Sequence, residues 1–102
     1  METPKSLRGK PRGKLTLDDC VFFTLRNANR NKKWLTFWNI QQIIKEQTGK
    51  FYGEATISAS IRNMRKDYCR ELYELPIYGE VIEKRRMFNS KGYEYKLILK
   101  GE

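Results

Sequence analysis

An α+β fold, three helices closed by a C-terminal β-hairpin, is what the sequence predicts, and three observations predict it. Apolar residues recur at helical spacing through three successive stretches between Thr16 and Lys66. From Glu80 the pattern changes to two β-prone runs, Val81 to Phe88 and Tyr93 to Leu99, joined by the turn-rich tetrad Asn89-Ser90-Lys91-Gly92. The 102 residues suffice for one small core, so all of these elements share it.

The first helix starts at Thr16, where Thr-Leu-Asp-Asp offers a capping hydroxyl and an acidic side chain three residues on. It runs to about Asn29, with Leu17, Val21, Leu25 and Ala28 as its inner stripe and Cys20, Phe22 and Thr24 at the margins. Phe23 falls on the far side, toward the N-terminal segment or another chain. Arg30 to Lys33 is a polar, basic loop, and Trp34-Leu35 makes a brief strand. The second helix is capped by Thr36, buries Phe37, Ile40 and Ile44, points Trp38 away and stops at Gly49. Lys50 to Gly53 forms the turn into the third.

That third helix, GEATISASIRNMRK from Gly53 to Lys66, has two unlike sides. At about 100° per residue, Ile57, Ile61 and Met64 stack on one of them, with Tyr68 continuing the line. The other carries Ala55, Thr56, Ala59, Arg62, Asn63 and Lys66, where alanine and threonine leave the backbone nearly bare between long polar arms. The DNA major groove admits one helix, and Arg, Lys and Asn side chains with Ala and Thr methyls read base edges there. A solvated amphipathic helix is the plain alternative. Asp67 to Pro76 is ambiguous, helical at most to about Leu72 before Pro76 and Gly79. In the hairpin, Lys84, Arg85 and Arg86 lead toward the turn, Lys91 sits at its tip and Lys96 lies on the return strand. Tyr95 and Leu97 form the side that packs on the helices, opposite Val81 or Ile82.

Charge directs attention to a partner. Lysine and arginine total 21 against 12 acidic residues, a formal charge of +9 that attracts polyanions. Residues 1–15, with Lys5, Arg8, Lys10, Arg12 and Lys14 set among prolines and glycines, are expected to form a flexible basic arm without regular structure. Such arms lie along phosphates or enter a minor groove, although an inert solubilising tail has the same composition. Residues 16–100 then form the folded domain. No apolar run approaches the ~20 residues of a membrane span, and the N-terminus lacks the apolar stretch of a signal peptide. The expected location is therefore cytoplasmic, nucleoid-associated when on DNA. Cys20 and Cys69 form no CxxC pair and the chain has no histidine, so buried free thiols are expected and neither metal nor cofactor.

Together these stretches resemble the winged helix-turn-helix architecture. ATISASIRNMRK, YGEVIEKRR and GYEYKLIL are similar to segments of small winged-helix DNA-binding proteins encoded by phages and prophages. There an Ile/Ser/Ala-rich third helix ends in an Arg-rich turn, followed by a Gly-Tyr or Tyr-Gly break, an arginine-bearing wing strand and a terminal Tyr-x-Leu. The resemblance covers about residues 16–99. It implies the third helix in the major groove and the hairpin as a wing beside it.

Two function classes follow. One is sequence-specific binding of double-stranded DNA, in a regulator of transcription or an accessory factor of replication or recombination, acting alone or as a homodimer. Thr56, Ala59, Arg62, Asn63 and Lys66 would face bases, while Lys84, Arg85, Arg86 and Lys91 of the wing and Lys10, Arg12 and Lys14 of the arm would neutralise phosphates. The other is a winged helix that binds and modulates a host or phage protein, with Phe23, Trp38 and Tyr52 as aromatic anchors. An enzyme is not expected, since histidine is absent and no Gly-rich phosphate loop, nucleophile elbow or close carboxylate pair is visible.

Overall fold

The computed structural model describes residues 3–88 and 90–101, Arg12 through its backbone alone. Four helices precede a two-stranded antiparallel hairpin: α1 (Leu17–Arg30), α2 (Phe37–Thr48), α3 (Glu54–Asn63), α4 (Asp67–Leu72), β1 (Ile82–Arg86) and β2 (Tyr93–Leu97). The chain is thus α+β.

Helix α1 begins as the sequence predicts. Thr16 Oγ1 accepts the Asp19 N–H at 3.1 Å while Asp19 Oδ2 accepts the Thr16 N–H at 3.0 Å, a reciprocal capping box. The same device starts α2, between Thr36 and Asn39. Their ends differ. Gly49 closes α2 in the left-handed region at φ 76°, whereas α1 and α4 end in Schellman motifs that force charged residues there, Lys32 at φ 56° and Glu74 at φ 54°. The defining bonds run from the Lys33 N–H to the Ala28 carbonyl at 2.9 Å and from the Leu75 N–H to the Arg70 carbonyl at 2.8 Å. A left-handed residue with a side chain costs about 1–2 kcal/mol.

The core sits around α1, which packs against α2, α3 and β2. Val21, Phe22 and Leu25 meet Ile40 and Ile44 of α2, Ile57 and Ile61 of α3, and Val81, Ile82 and Leu97 of the hairpin, all buried. Each contributes roughly 1.5–3 kcal/mol by leaving water. Phe22 stacks on Tyr73 with ring centroids 4.8 Å apart. It is a core residue and not marginal, because Tyr73, folded back after α4, widens the buried stripe of α1. Leu35 exchanges two backbone hydrogen bonds with Tyr95, at 2.9 and 2.7 Å, so the α1–α2 loop attaches to β2 as a one-residue third strand.

The structure corrects several expectations. There are four helices and not three: Lys66 is extended at ψ 146°, which ends the α3 region and starts α4 as a separate turn-and-a-half. Tyr68 therefore does not continue the apolar line of α3 and is exposed, while Cys69 and Tyr73 are buried in its place. The strands are shorter than the β-prone runs, and Phe88 is exposed beyond β1. Asn89 of the expected turn lies outside the described residues. The arm carries short 3-10 turns at Lys5–Leu7 and Arg12–Lys14, and Leu7, 4% exposed, joins the core. Its backbone is tied to the end of α4: the Lys5 N–H donates to Glu74 Oε2 at 2.7 Å and the Ser6 hydroxyl to the Leu72 carbonyl. Both cysteines are free. No helix is long and apolar enough to cross a membrane among the described residues.

Candidate nucleic-acid interface

Helix α3 is held by its neighbours so that one side stays open. Gln41 Nε2 donates to the Tyr52 carbonyl at 3.0 Å and fixes the turn from α2, and Ser60 Oγ donates to Asp18 Oδ1 at 2.5 Å to pin the helix against α1. Ile57, Ser60 and Ile61 are buried beneath, and Ala55, Thr56 and Arg62 are exposed above. The hairpin lies alongside. Its register pairs Ile82 with Leu97, Lys84 with Tyr95 and Arg86 with Tyr93 on one face, and Glu83 with Lys96 and Arg85 with Glu94 on the other.

The first of these, here the front face, turns toward α3. Tyr95 stacks on Phe37 with centroids 4.8 Å apart, and a groove between helix and hairpin is lined by Ser58, Arg62, Arg65, Lys84 and Tyr95. Burial, with the nearby Glu54 carboxylate adding to it, pushes the Tyr95 phenol above its ordinary range, so it remains a neutral hydroxyl that donates and accepts. Lys84 lies 4.5 Å over the Tyr93 ring, and Arg65 Nε reaches Glu80 at 3.6 Å. The groove thus presents two guanidinium groups and an ammonium beside the bare outer side of α3.

Set against known proteins, the chain matches no family model, no curated sequence and no solved structure.

The sequence-derived residues divide in this setting. Thr56, Arg62, Lys84, Arg86 and Lys91 are exposed on α3 and the hairpin. Ala59 is half-buried on the same side of α3. Asn63 is half-buried, with Nδ2 3.5 Å from Asp18 Oδ2, and so faces α1 as much as solvent. Lys66 is exposed but lies past the end of α3, as the residue before α4. Arg85 is on the back of the hairpin, its Nε donating to Glu94 at 2.8 Å and its guanidinium 4.1 Å over Trp34. In the arm, Lys14 is exposed, the Arg12 side chain lies outside the described residues, and Lys10 is engaged internally. Of the aromatic anchors, Phe23 and Tyr52 are half-buried against the core and only Trp38 stands out. Arg65, absent from the sequence-based set, joins the groove because the chain turns after Asn63; the basic run RNMRK was its only signal.

Lys10 belongs to a buried hub. Asp19, 3% exposed, accepts from Lys10 Nζ at 2.7 Å and from Tyr73 Oη at 2.7 Å besides its capping bond. Burial alone would raise this carboxyl, but the bonds from Lys10, the Thr16 N–H and Tyr73 prevail and hold it below its ordinary value. Tyr73 is driven the opposite way, by burial first and by donation to Asp19 second. Arg26 is also internal: its guanidinium lies 4.9 Å over Phe23, and Nη1 donates to Thr3 Oγ1 at 3.2 Å. Burial, with Arg30 adding to it, lowers its pKa.

Proposed function

We propose that the protein is a winged helix-turn-helix module that binds double-stranded DNA, with α3 as recognition helix and the hairpin as wing. The observation that carries this reading is the front groove, where Arg62 of α3, Arg65 of the turn after it and Lys84 of β1 converge beside exposed Ala55 and Thr56. Helix order supports it, as does the Leu35–Tyr95 bridge, which gives the hairpin the third strand that steadies a wing against the helices. The net charge of +9 supplies the long-range attraction to phosphate. Arg62 and Thr56 are the base-reading candidates; Lys84, Arg86 and Lys91 are the phosphate candidates. A role as a phage or prophage regulator, or as a replication or recombination factor, goes with this reading through the resemblance in the sequence.

Titration of a labelled duplex across salt concentrations, followed by selection from random duplexes, tests it. Binding whose log K falls steeply with log salt is expected, by ~0.9 per phosphate neutralised, together with a preferred site that Arg62→Ala erases. Absence of duplex binding at low salt would sink the reading.

A further inference from the structure

The back of the hairpin holds a second groove that duplex binding on the front does not use. Both tryptophans of the chain line it, with Lys32, Lys33 and Arg85. We infer that this groove binds single-stranded DNA, with a base stacked on Trp38 and phosphates neutralised by Lys32 and Lys33. The inference rests on the duplex reading for the choice of DNA, the unpaired strand being one that leaves the duplex held in front.

Trp38 is 65% exposed, and among the described residues no ring packs on it. A bare indole at the mouth of a cationic groove suits a base, since every base has a π-face, and stacking on it is tolerant of sequence. The groove's floor is already ordered: Trp34 lies under the Arg85 guanidinium at 4.1 Å and within 5.9 Å of Lys96 Nζ. Its single lining carboxylate, Glu94, is neutralised by Arg85 at 2.8 Å, so Lys32 and Lys33 leave the groove positive. Lys32 also occupies the left-handed position that ends α1, where glycine would sit without strain. The chain thus keeps a cation where local conformation argues against one. An acidic peptide would answer the charge but would leave the indole without a partner for its ring face.

Because the two tryptophans line the same groove, their fluorescence reports on it directly. The test uses the full chain with an oligothymidylate of about ten nucleotides, within the span of known single-strand sites. Saturable quenching is expected. Trp38→Ala should weaken oligothymidylate binding about tenfold, read by polarisation of a labelled strand, and Trp38→Phe should recover most of it. A melting curve coinciding with the parent's shows that the fold is intact, and blunt-duplex affinity should be unchanged in both variants. Arg62→Ala should give the reverse pattern. The inference is overturned if oligothymidylate causes no quenching, if Trp38→Ala binds it as the parent does, or if oligouridylate or polyglutamate quenches more strongly. Loss of blunt-duplex binding with oligothymidylate quenching retained would remove the duplex reading alone. Duplex binding without quenching by oligothymidylate would remove this inference alone.

Discussion

The arm, residues 3–14, and the hairpin are both basic and both carry glycine, yet the fold treats them in opposite ways. In the arm Leu7 enters the core, the Lys5 backbone and Ser6 hydroxyl bind the end of α4, and Lys10 is fixed on Asp19. In the hairpin Lys84, Arg86 and Lys91 keep their charges at the surface. A lysine beside an apolar anchor and within reach of a buried carboxylate serves the fold; one exposed on a strand or its turn with no carboxylate beside it remains available to a ligand. Counting cations therefore overstates the field that a polyanion meets.

The largest effect should come from the arm's anchor. Leu7→Ala is expected to cost about 2–4 kcal/mol, a fall of roughly 10 °C or more in Tm for a domain of this size, and removal of residues 1–14 should cost more. A truncated chain that melted with the parent would abolish the contrast. Next comes the hub. Asp19→Asn leaves the Lys10 ammonium without its counter-charge and should cost about 2 kcal/mol at neutral pH. With the folded-state carboxyl held below its ordinary 3.8, the stabilisation is fully present above that value and is lost as pH falls below it. Denaturant midpoints at pH ~5 and pH ~3 should therefore diverge less in Asp19→Asn than in the parent.

On the hairpin, changing Lys84, Arg86 and Lys91 together to Ala should flatten the salt dependence of the proposed duplex binding by about 2–3 in slope with little change in melting. Lys10→Ala should do the opposite, lowering stability by about 1 kcal/mol and leaving the slope alone. Equal slopes for the two variants would erase the distinction between arm and hairpin. The smallest effect tests whether a third basic stretch, the α1–α2 loop, follows the hairpin. Lys32→Gly should stabilise by about 1 kcal/mol or less by relieving the left-handed backbone, while weakening single-strand binding.

Much of the body was legible in the sequence because its signals are local. Thr16 and Thr36 announce their caps, Gly49 its stop, and the stripes of Ile40 and Ile44 and of Ile57 and Ile61 their buried sides. The hairpin face bearing Leu97 was readable for the same reason, while of the brief strand expected at Trp34-Leu35 only Leu35 pairs. What escaped depends on partners far along the chain. Lone Leu7 among glycines and prolines has no period, and its neighbours Lys5 and Ser6 are tied to Glu74 and Leu72, 69 and 66 residues later. Lys66, which separates α4 from α3, is not a residue that marks a break. On the candidate site, helical phase found the outward residues of α3. It could not show that Asn63 leans toward Asp18, nor that Arg85 is taken up by Glu94 and Trp34 while Lys84 meets the groove beside α3.

The Asp19 hub also sets an order of events during synthesis. Its three donors lie 9, 3 and 54 positions away in the chain, so the carboxylate meets Lys10 and Thr16 long before Tyr73 exists. At the pace of a ribosome, ~5–20 residues per second, the stretch from Phe22 to Tyr73 takes roughly three to ten seconds to emerge. For that interval Phe22 lacks the ring that covers it. The nascent chain's exposure to aggregation and to chaperones is thus timed by the translation of α4, an element too short to fold alone.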